Sequence, residues 1–193
     1  MAGAPRTGLA LVLLVVAAGC GGEDGSGTTS RETADPAARA PHGWRTVRNE
    51  VAGFTLSVPR GWTVRLKRRA TLIRSKDRLL VLTVAADRSE QSRKIAPREY
   101  ARRTVDQLPD FEGSVLPRRR RVSGSPYRSA RVDGAGSLRT SKRPQRITVA
   151  VYKRPGVTYA IVAFANLKTP AGRYGPRLRR ILGSLRGQPA QLG

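Results

Sequence analysis

The residue best placed to do chemistry is Cys20, the only cysteine in the 193-residue chain. It follows the longest apolar run, residues 9–18, and precedes a tract rich in Gly, Ser and Thr. That run is about half the 20 residues that a membrane-spanning helix needs. With one positive charge before it (Arg6) and small residues after it, the segment indicates a secretory signal. A single cysteine also excludes an intrachain disulfide and a cysteine-based metal site.

Residues 16–20 read VAAGC and resemble the lipobox of bacterial lipoproteins, in which small residues precede an obligatory cysteine. The resemblance implies diacylglycerol transfer to the Cys20 sulfur, cleavage between Gly19 and Cys20, and a palmitate-type anchor at the extracytoplasmic face of the cell membrane. A thiolate is a suitable acceptor for a lipid. Ala17 departs from the family pattern, which usually has Leu there. The alternative is an ordinary secretory signal with a free cysteine near its end.

Residues 20–41, which begin with the lipidated Cys20, contain no aromatic side chain and almost nothing large and apolar. Such a stretch cannot bury enough surface to offset its ordering entropy, so we expect a disordered tether. Its net charge is −2 and that of the signal, residues 1–19, is +1, so the formal +24 of the chain leaves +25 on residues 42–193. The length of this last segment suits one domain with its own core.

Candidates for catalysis are few. His42 is the only histidine, which excludes a Ser-His-Asp triad and a multi-histidine metal site. The densest carboxylates, Asp106, Asp110 and Glu112, could hold a calcium ion if a turn brought them together, but the full calcium-loop pattern is missing. The alternative is solvated surface charge, partly paired with nearby arginines. We therefore expect no enzymatic activity, no cofactor and no metal.

Basic residues dominate the domain, since the chain holds 37 Lys plus Arg against 13 Asp plus Glu. They concentrate in RLKRR at residues 65–69, in RRRR at residues 118–121 and in the last predicted helix. Together they could attract an anionic cell-wall polymer or lipid headgroups. In the alternative interpretation, arginine is the default solvated residue and raises solubility. The predicted contacts with an anionic partner are Arg118, Arg119, Arg120, Arg121, Arg177, Arg179 and Arg180.

The aromatic residues argue against a nucleic-acid surface. The chain has 3 Phe, 5 Tyr and 2 Trp, which is few for a protein that stacks bases. Strand alternation places Trp62 in the core, whereas Trp44, at the edge of the domain, remains undecided. No specific nucleic-acid partner is expected. The expected partner is an envelope protein or an anionic polymer.

Most of the segments between the candidate residues have the alternating pattern of β-strands. Residues 53–67, GFTLSVPRGWTVRLK, alternate on both sides of a Pro/Gly turn and predict a pair of antiparallel strands. Residues 70–75 and 79–86 follow across the turn SKDR, and the second is apolar on both faces, which predicts a central strand covered on both sides. Residues 146–166 give the clearest hairpin, in which two β-branched strands flank KRPG.

A third hairpin and two helices complete the pattern. Residues 113–136 predict a hairpin that turns at Ser123 and Gly124, with Ala130 and Val132 inward between Arg131 and Asp133. Residues 96–108 predict a helix with a proline in its first turn. Residues 169–186 predict an amphipathic helix that begins near Pro176. Helices beside a mainly antiparallel sheet indicate an α+β sandwich.

The order of these patterns resembles the PsbP-like α/β/α sandwich domains of actinobacterial lipoproteins. The resemblance spans about residues 44–187, and the phrases that carry it are GFTLSVPRGW, LLVLTVA, EYARRTVDQL, VSGSPYRSARVDG, RITVAVYKRPGVTYAIVAFA and RYGPRLRRILGSL. It implies an α+β fold shared with the PsbP subunit of photosystem II and with a Ran-binding nuclear import factor. It also implies a non-catalytic binding or assembly role, and the family offers no catalytic motif to carry over.

Overall fold

The computed structural model describes residues 40–115, 121–140 and 142–188. All of them belong to one compact unit, Asp35–Gly193. The predicted signal and nearly all of the predicted tether, including Gly19 and Cys20, lie outside the described residues. The same is true of Arg118, Arg119 and Arg120.

Strands make up most of this unit, and three helices interrupt them. In chain order the elements are β1 (Trp44–Asn49), β2 (Phe54–Pro59), β3 (Thr63–Lys67), β4 (Ala70–Arg74), β5 (Leu80–Asp87), α1 (Glu90–Lys94), α2 (Pro97–Asp106), β6 (Phe111–Val115), β7 (Arg128–Leu138), β8 (Pro144–Arg154), β9 (Val157–Asn166), α3 (Ala171–Gly183) and β10 (Arg186–Gly187). None of the helices in these ranges is long and apolar enough to cross a bilayer.

A seven-stranded antiparallel sheet forms the centre of the fold, in the order β3-β4-β5-β9-β8-β7-β6. The hairpin predicted over residues 146–166 is present as β8 and β9, with Tyr152 opposite Tyr159. The prediction that β5 is covered on both faces is wrong. Leu80, Leu82 and Val84 are buried, but the residues between them are only partly buried, because α2 packs on β7 and β8 instead.

β2 belongs to a second, three-stranded sheet of order β1-β2-β10. The predicted pairing of residues 54–59 with residues 63–67 is therefore wrong, since β2 pairs with β1 and β10 while β3 pairs with β4. Alternation shows which side chains face a core but not which strand is the neighbour. Phe54, Leu56, Val58 and Trp62 all enter the same core between the two sheets, so either pairing would fit the pattern.

The two longer helices, α2 and α3, lie on opposite faces of the large sheet. α2 contacts β7 and β8, and its buried residues include Tyr100, Ala101 and Val105. α3 packs on β2 and belongs to the core between the sheets. It begins at Ala171, and the prediction of a start near Pro176 is wrong. The first turn already forms when the Arg173 amide donates to the Pro170 carbonyl at 3.0 Å, so Pro176 removes only one later backbone bond.

The predicted hairpin at residues 113–136 is present with a different geometry. β6 and β7 pair, with Val115 opposite Gly134, and the described residues 121–127 of their connection lie outside any strand. The predicted turn at Ser123 and Gly124 lies within this connection and contacts the end of α3 near Gly183. The second arm thus begins only at Arg128, because the described part of the connection packs against the end of α3.

Candidate anion-binding surface

The four predicted contact residues that the structure describes are all exposed: Arg121, Arg177, Arg179 and Arg180. Three of them are on α3, whose buried stripe is Tyr174, Leu178, Ile181 and Leu182. At about 100° per residue, Arg179 lies on one flank of this stripe, whereas Arg177 and Arg180 lie on the other. The predicted arginine face is therefore two separate flanks.

The first flank forms a pocket of about 290 Å³. It brings together Arg121 from the β6–β7 connection, Arg131 from β7 and Arg179 from α3. The remaining lining residues are Val122, Ser123 and Leu182. Three arginine residues from three separate segments thus share one pocket, and among the described residues no carboxylate belongs to its lining. We call it the α3 pocket.

Arg131 is the fixed member of the α3 pocket. Its Nη2 and Nε donate to Asp133 Oδ1 at 2.8 and 3.0 Å, and Thr148 Oγ1 donates to the same oxygen at 2.6 Å. Both ion-pair side chains are only 17% exposed. A guanidinium has five N–H donors, so the pair leaves donors for a ligand. Sequence reasoning missed this role, although the Arg-x-Asp spacing places both side chains on one strand face.

The wall of the α3 pocket depends on a close backbone approach at Gly183. A Cβ atom there would lie 2.7 Å from the Ser123 carbonyl oxygen, so only glycine lets the connection contact the helix end. The Tyr152 hydroxyl donates to the Leu182 carbonyl at 2.8 Å. Burial raises the pKa of Tyr152, which keeps this donor protonated. The helix end is therefore held from both sides.

The second flank contains an aromatic contact. The Arg180 guanidinium carbon lies 5.1 Å from the centroid of the Trp44 ring, within cation–π range. Trp44, which the sequence leaves undecided, is half-buried against the core.

Arg177, on the same flank, lies near a carboxylate. A hydrogen bond from Ser75 is the main cause that lowers the pKa of Asp77, and the charge of Arg177 adds a smaller effect. Trp62 is buried, in agreement with the prediction.

The other candidate residues lie apart from this surface. Glu112 pairs with Arg139 at 2.9 Å, and Arg103 pairs with Glu99 at 2.9 Å. Among the described residues, no group of three or more His, Cys, Asp or Glu side chains is placed to hold a metal. His42 is exposed. The RLKRR segment, residues 65–69, forms the end of β3 and the turn after it, at one edge of the large sheet, where charge discourages strand pairing with another chain.

Comparison with solved structures identifies the fold. The cyanobacterial PsbP protein CyanoP from Synechocystis sp. PCC 6803 superposes with a TM-score of 0.57 at 9% identity, covering 80% of this chain and 97% of CyanoP. The fold is PsbP-like. A point mutant of the protein Mog1 shares it, with a TM-score of 0.54 at 11% identity over 77% of this chain and 98% of Mog1.

A third similar structure, from Bacteroides thetaiotaomicron, has a TM-score of 0.50 at 11% identity and covers 72% of this chain and 46% of that one. No protein-family model matches the sequence, and no curated protein matches it. At these identities the likeness concerns the fold alone. The predicted α+β, PsbP-like architecture is confirmed, with two antiparallel sheets and helices on both faces of the larger one.

Proposed function

We propose that this chain is a lipid-anchored lipoprotein of the extracytoplasmic membrane face whose PsbP-like domain binds an anionic polymer without catalysis. The observation that carries the binding role is the α3 pocket, whose lining contains Arg121, Arg131 and Arg179 and, within the described part of the chain, no carboxylate. The VAAGC segment ending at Cys20 supports the anchor.

The chemistry of the α3 pocket favours phosphate or carboxylate groups. A planar guanidinium fork matches either group with two parallel hydrogen bonds. Arg131 is held in place by Asp133, so a ligand does not have to order it, whereas Arg121 and Arg179 are exposed and can adapt. The charge of +25 on residues 42–193 adds long-range attraction for any polyanion.

A protein partner in the envelope is the second candidate, and the other flank of α3 favours it. The half-buried Trp44 and the exposed Arg180 form a cation–π pair. Trp and Arg are enriched among the residues that contribute most to protein–protein affinity. Binding that is insensitive to salt would favour this candidate, whereas polymer binding must weaken steeply as salt rises.

Replacing Arg121 and Arg179 together by glutamine should weaken binding to a polyglycerol-phosphate polymer by about tenfold. Two fewer ionic contacts should also make the negative slope of log affinity against log salt less steep by about 1 to 2. The measurement is a fluorescence-anisotropy titration of the full-length protein at several salt concentrations. The charge-matched control is Arg65→Gln with Arg102→Gln, which are both exposed and outside the α3 pocket. Equal losses in the two double variants would show that total charge alone determines binding.

Replacing Cys20 by alanine should move the protein from the membrane fraction to the soluble fraction, because stable anchoring requires acyl chains. The membranes are washed with about 1 M salt, which screens attraction by the basic domain. The matched control is Ala17→Leu, which restores the usual lipobox residue and should remain membrane-bound with a lipid-modified N-terminus by mass spectrometry. Retention of the Cys20→Ala variant in washed membranes would contradict the anchor.

A further inference from the structure

A second basic pocket, of about 350 Å³, lies at the end of the large sheet near α1. One wall comes from α1 and the α1–α2 junction, and the other from the start of β7 and the β8–β9 turn. The lining residues are Arg93, Lys94, Ile95, Ala96, Pro97, Arg128, Lys153, Arg154, Pro155 and Gly156. Five of these ten are cationic and none is acidic. We call it the α1 pocket.

Lys153 is the most constrained cation of the α1 pocket. Its ammonium donates to the Ser92 carbonyl and, at 2.9 Å, to Thr158 Oγ1. It lies 5.3 Å from the centroid of the Tyr100 ring. Burial is the main cause that lowers the pKa of Lys153, with an opposing effect from Asp87 and a smaller lowering by Arg128. The partners that fix this ammonium are thus neutral oxygens and a ring, so its positive charge remains available to a ligand.

The nearby carboxylates do not neutralise the α1 pocket. Glu90 pairs with Lys94 at 2.6 Å, and both side chains are more than two-thirds exposed, at 72% and 75%. Asp87 accepts hydrogen bonds from the Tyr100 hydroxyl at 2.9 Å and from the Ser89 amide at 2.8 Å. Neither carboxylate belongs to the lining of the pocket, and exposed ion pairs are weak. Glu90 therefore offsets the charge of Lys94, one of the five cations, and Asp87 acts on Lys153 from outside the lining, so the positive charges of the pocket outnumber the carboxylates beside it.

We propose that the α1 pocket binds the phosphoryl group of a phosphate-bearing anion. Arg93 and Arg128 are exposed and come from opposite walls, and Lys153 supplies the fixed charge. Guanidinium and ammonium groups arranged in this way are the usual protein donors to phosphate oxygens. The volume falls within the range of about 300 to 1,000 Å³ that small-molecule sites occupy.

The α1 pocket is separate from the α3 pocket. Arg128 and Arg131 are three residues apart on β7, and an odd separation places side chains on opposite faces of a strand. At about 3.3 Å per residue, their Cα atoms are roughly 10 Å apart. The two pockets can therefore be tested independently, and failure of one proposal leaves the other standing.

The test uses the full-length protein in detergent and three double variants. Arg93→Gln with Arg128→Gln removes two exposed cations of the α1 pocket. Arg121→Gln with Arg179→Gln does the same for the α3 pocket, and Arg65→Gln with Arg102→Gln is the charge-matched control. Each protein is titrated with inorganic pyrophosphate in a calorimeter at about 0.15 M salt. Each is also tested for flotation with phosphatidylglycerol vesicles, without detergent and with Cys20→Ala added so that no acyl chain can insert.

Saturable pyrophosphate binding that weakens by about tenfold in the α1-pocket variant alone would support the proposal with a free phosphate compound as ligand. Vesicle binding that weakens by about tenfold in that variant alone, without pyrophosphate saturation, would support it with a lipid headgroup as ligand. Equal weakening in all three variants, or no binding of either probe, would overturn the proposal. Weakening in the α3-pocket variant alone would also overturn it.

Discussion

Replacing Phe54 by alanine should lower the free energy of unfolding by about 3–5 kcal/mol. Phe54 has no exposed surface, and its ring contacts Tyr159 edge-on, with centroids 6.0 Å apart. The ring lies where the small sheet meets the large one, and Tyr159 also donates to the Gly53 carbonyl at 2.6 Å. The two hydrogen-bonded sheets cannot close the cavity that the missing ring would leave. The loss of unfolding free energy should therefore lie near the upper end of this range.

The measurement for Phe54→Ala is urea unfolding followed by tryptophan fluorescence. Val51→Ala is the matched control, because Val51 is in the adjoining turn and is 54% exposed. Its substitution should change the free energy of unfolding by less than about 0.5 kcal/mol. Similar values for the two variants would mean that the junction between the sheets does not depend on this ring.

Replacing Asn49 by leucine should cost about 3–4 kcal/mol, although the two side chains have similar size. Asn49 is 4% exposed. Its Nδ2 donates to the Lys67 carbonyl at 3.0 Å, to the Ala70 carbonyl at 3.2 Å and to Thr71 Oγ1 at 3.0 Å. Its Oδ1 accepts from the Ala52 amide at 2.9 Å. Leucine would leave these groups without their partner in a place that water reaches poorly.

The control for Asn49→Leu is Asn166→Leu, measured by the same urea unfolding. The Asn166 Oδ1 accepts from the exposed Lys168 amide at 2.9 Å, and water can replace that bond. We expect a cost of about 1 kcal/mol or less there. A cost for Asn49→Leu no greater than for Asn166→Leu would show that the network does not connect β1 to the β3–β4 turn.

The sequence predicts individual strands well where local chemistry decides them. Residues 146–166 carry β-branched side chains around a Pro/Gly turn, and β8 and β9 form as predicted. The partner of β2 could not be read in this way, because it depends on β1 and on β10, which is at the other end of the domain. The hydrogen bonds of Asn49 could not be predicted for the same reason, because its four partners lie in three different segments. An isolated Asn in a sequence is more typical of a turn.

The residues of the candidate sites were also predictable only where basic residues cluster in the sequence. The basic runs and the last helix predict Arg121 and Arg179 as contact residues, and the structure places both in the α3 pocket. Arg131 was missed because a charged residue beside a buried valine is usually solvated, whereas here its side chain is only 17% exposed and pairs with Asp133. The cations of the α1 pocket come singly from α1, β7 and β8, so no local cluster in the sequence indicates them.

The contact between Trp44 and Arg180 also has a mechanical meaning if the preceding chain is held at a membrane. Trp44 opens β1, which is an edge strand and pairs with Pro59 of β2 at that point. Tension directed away from the sheet would first load the bond that the Arg60 amide donates to the Gly43 carbonyl at 2.8 Å, and would then peel β1 from Trp44 onward one hydrogen bond at a time. The same movement would lift the indole from the guanidinium. Stretching of the anchor would therefore change one flank of α3 before the core of the domain yields.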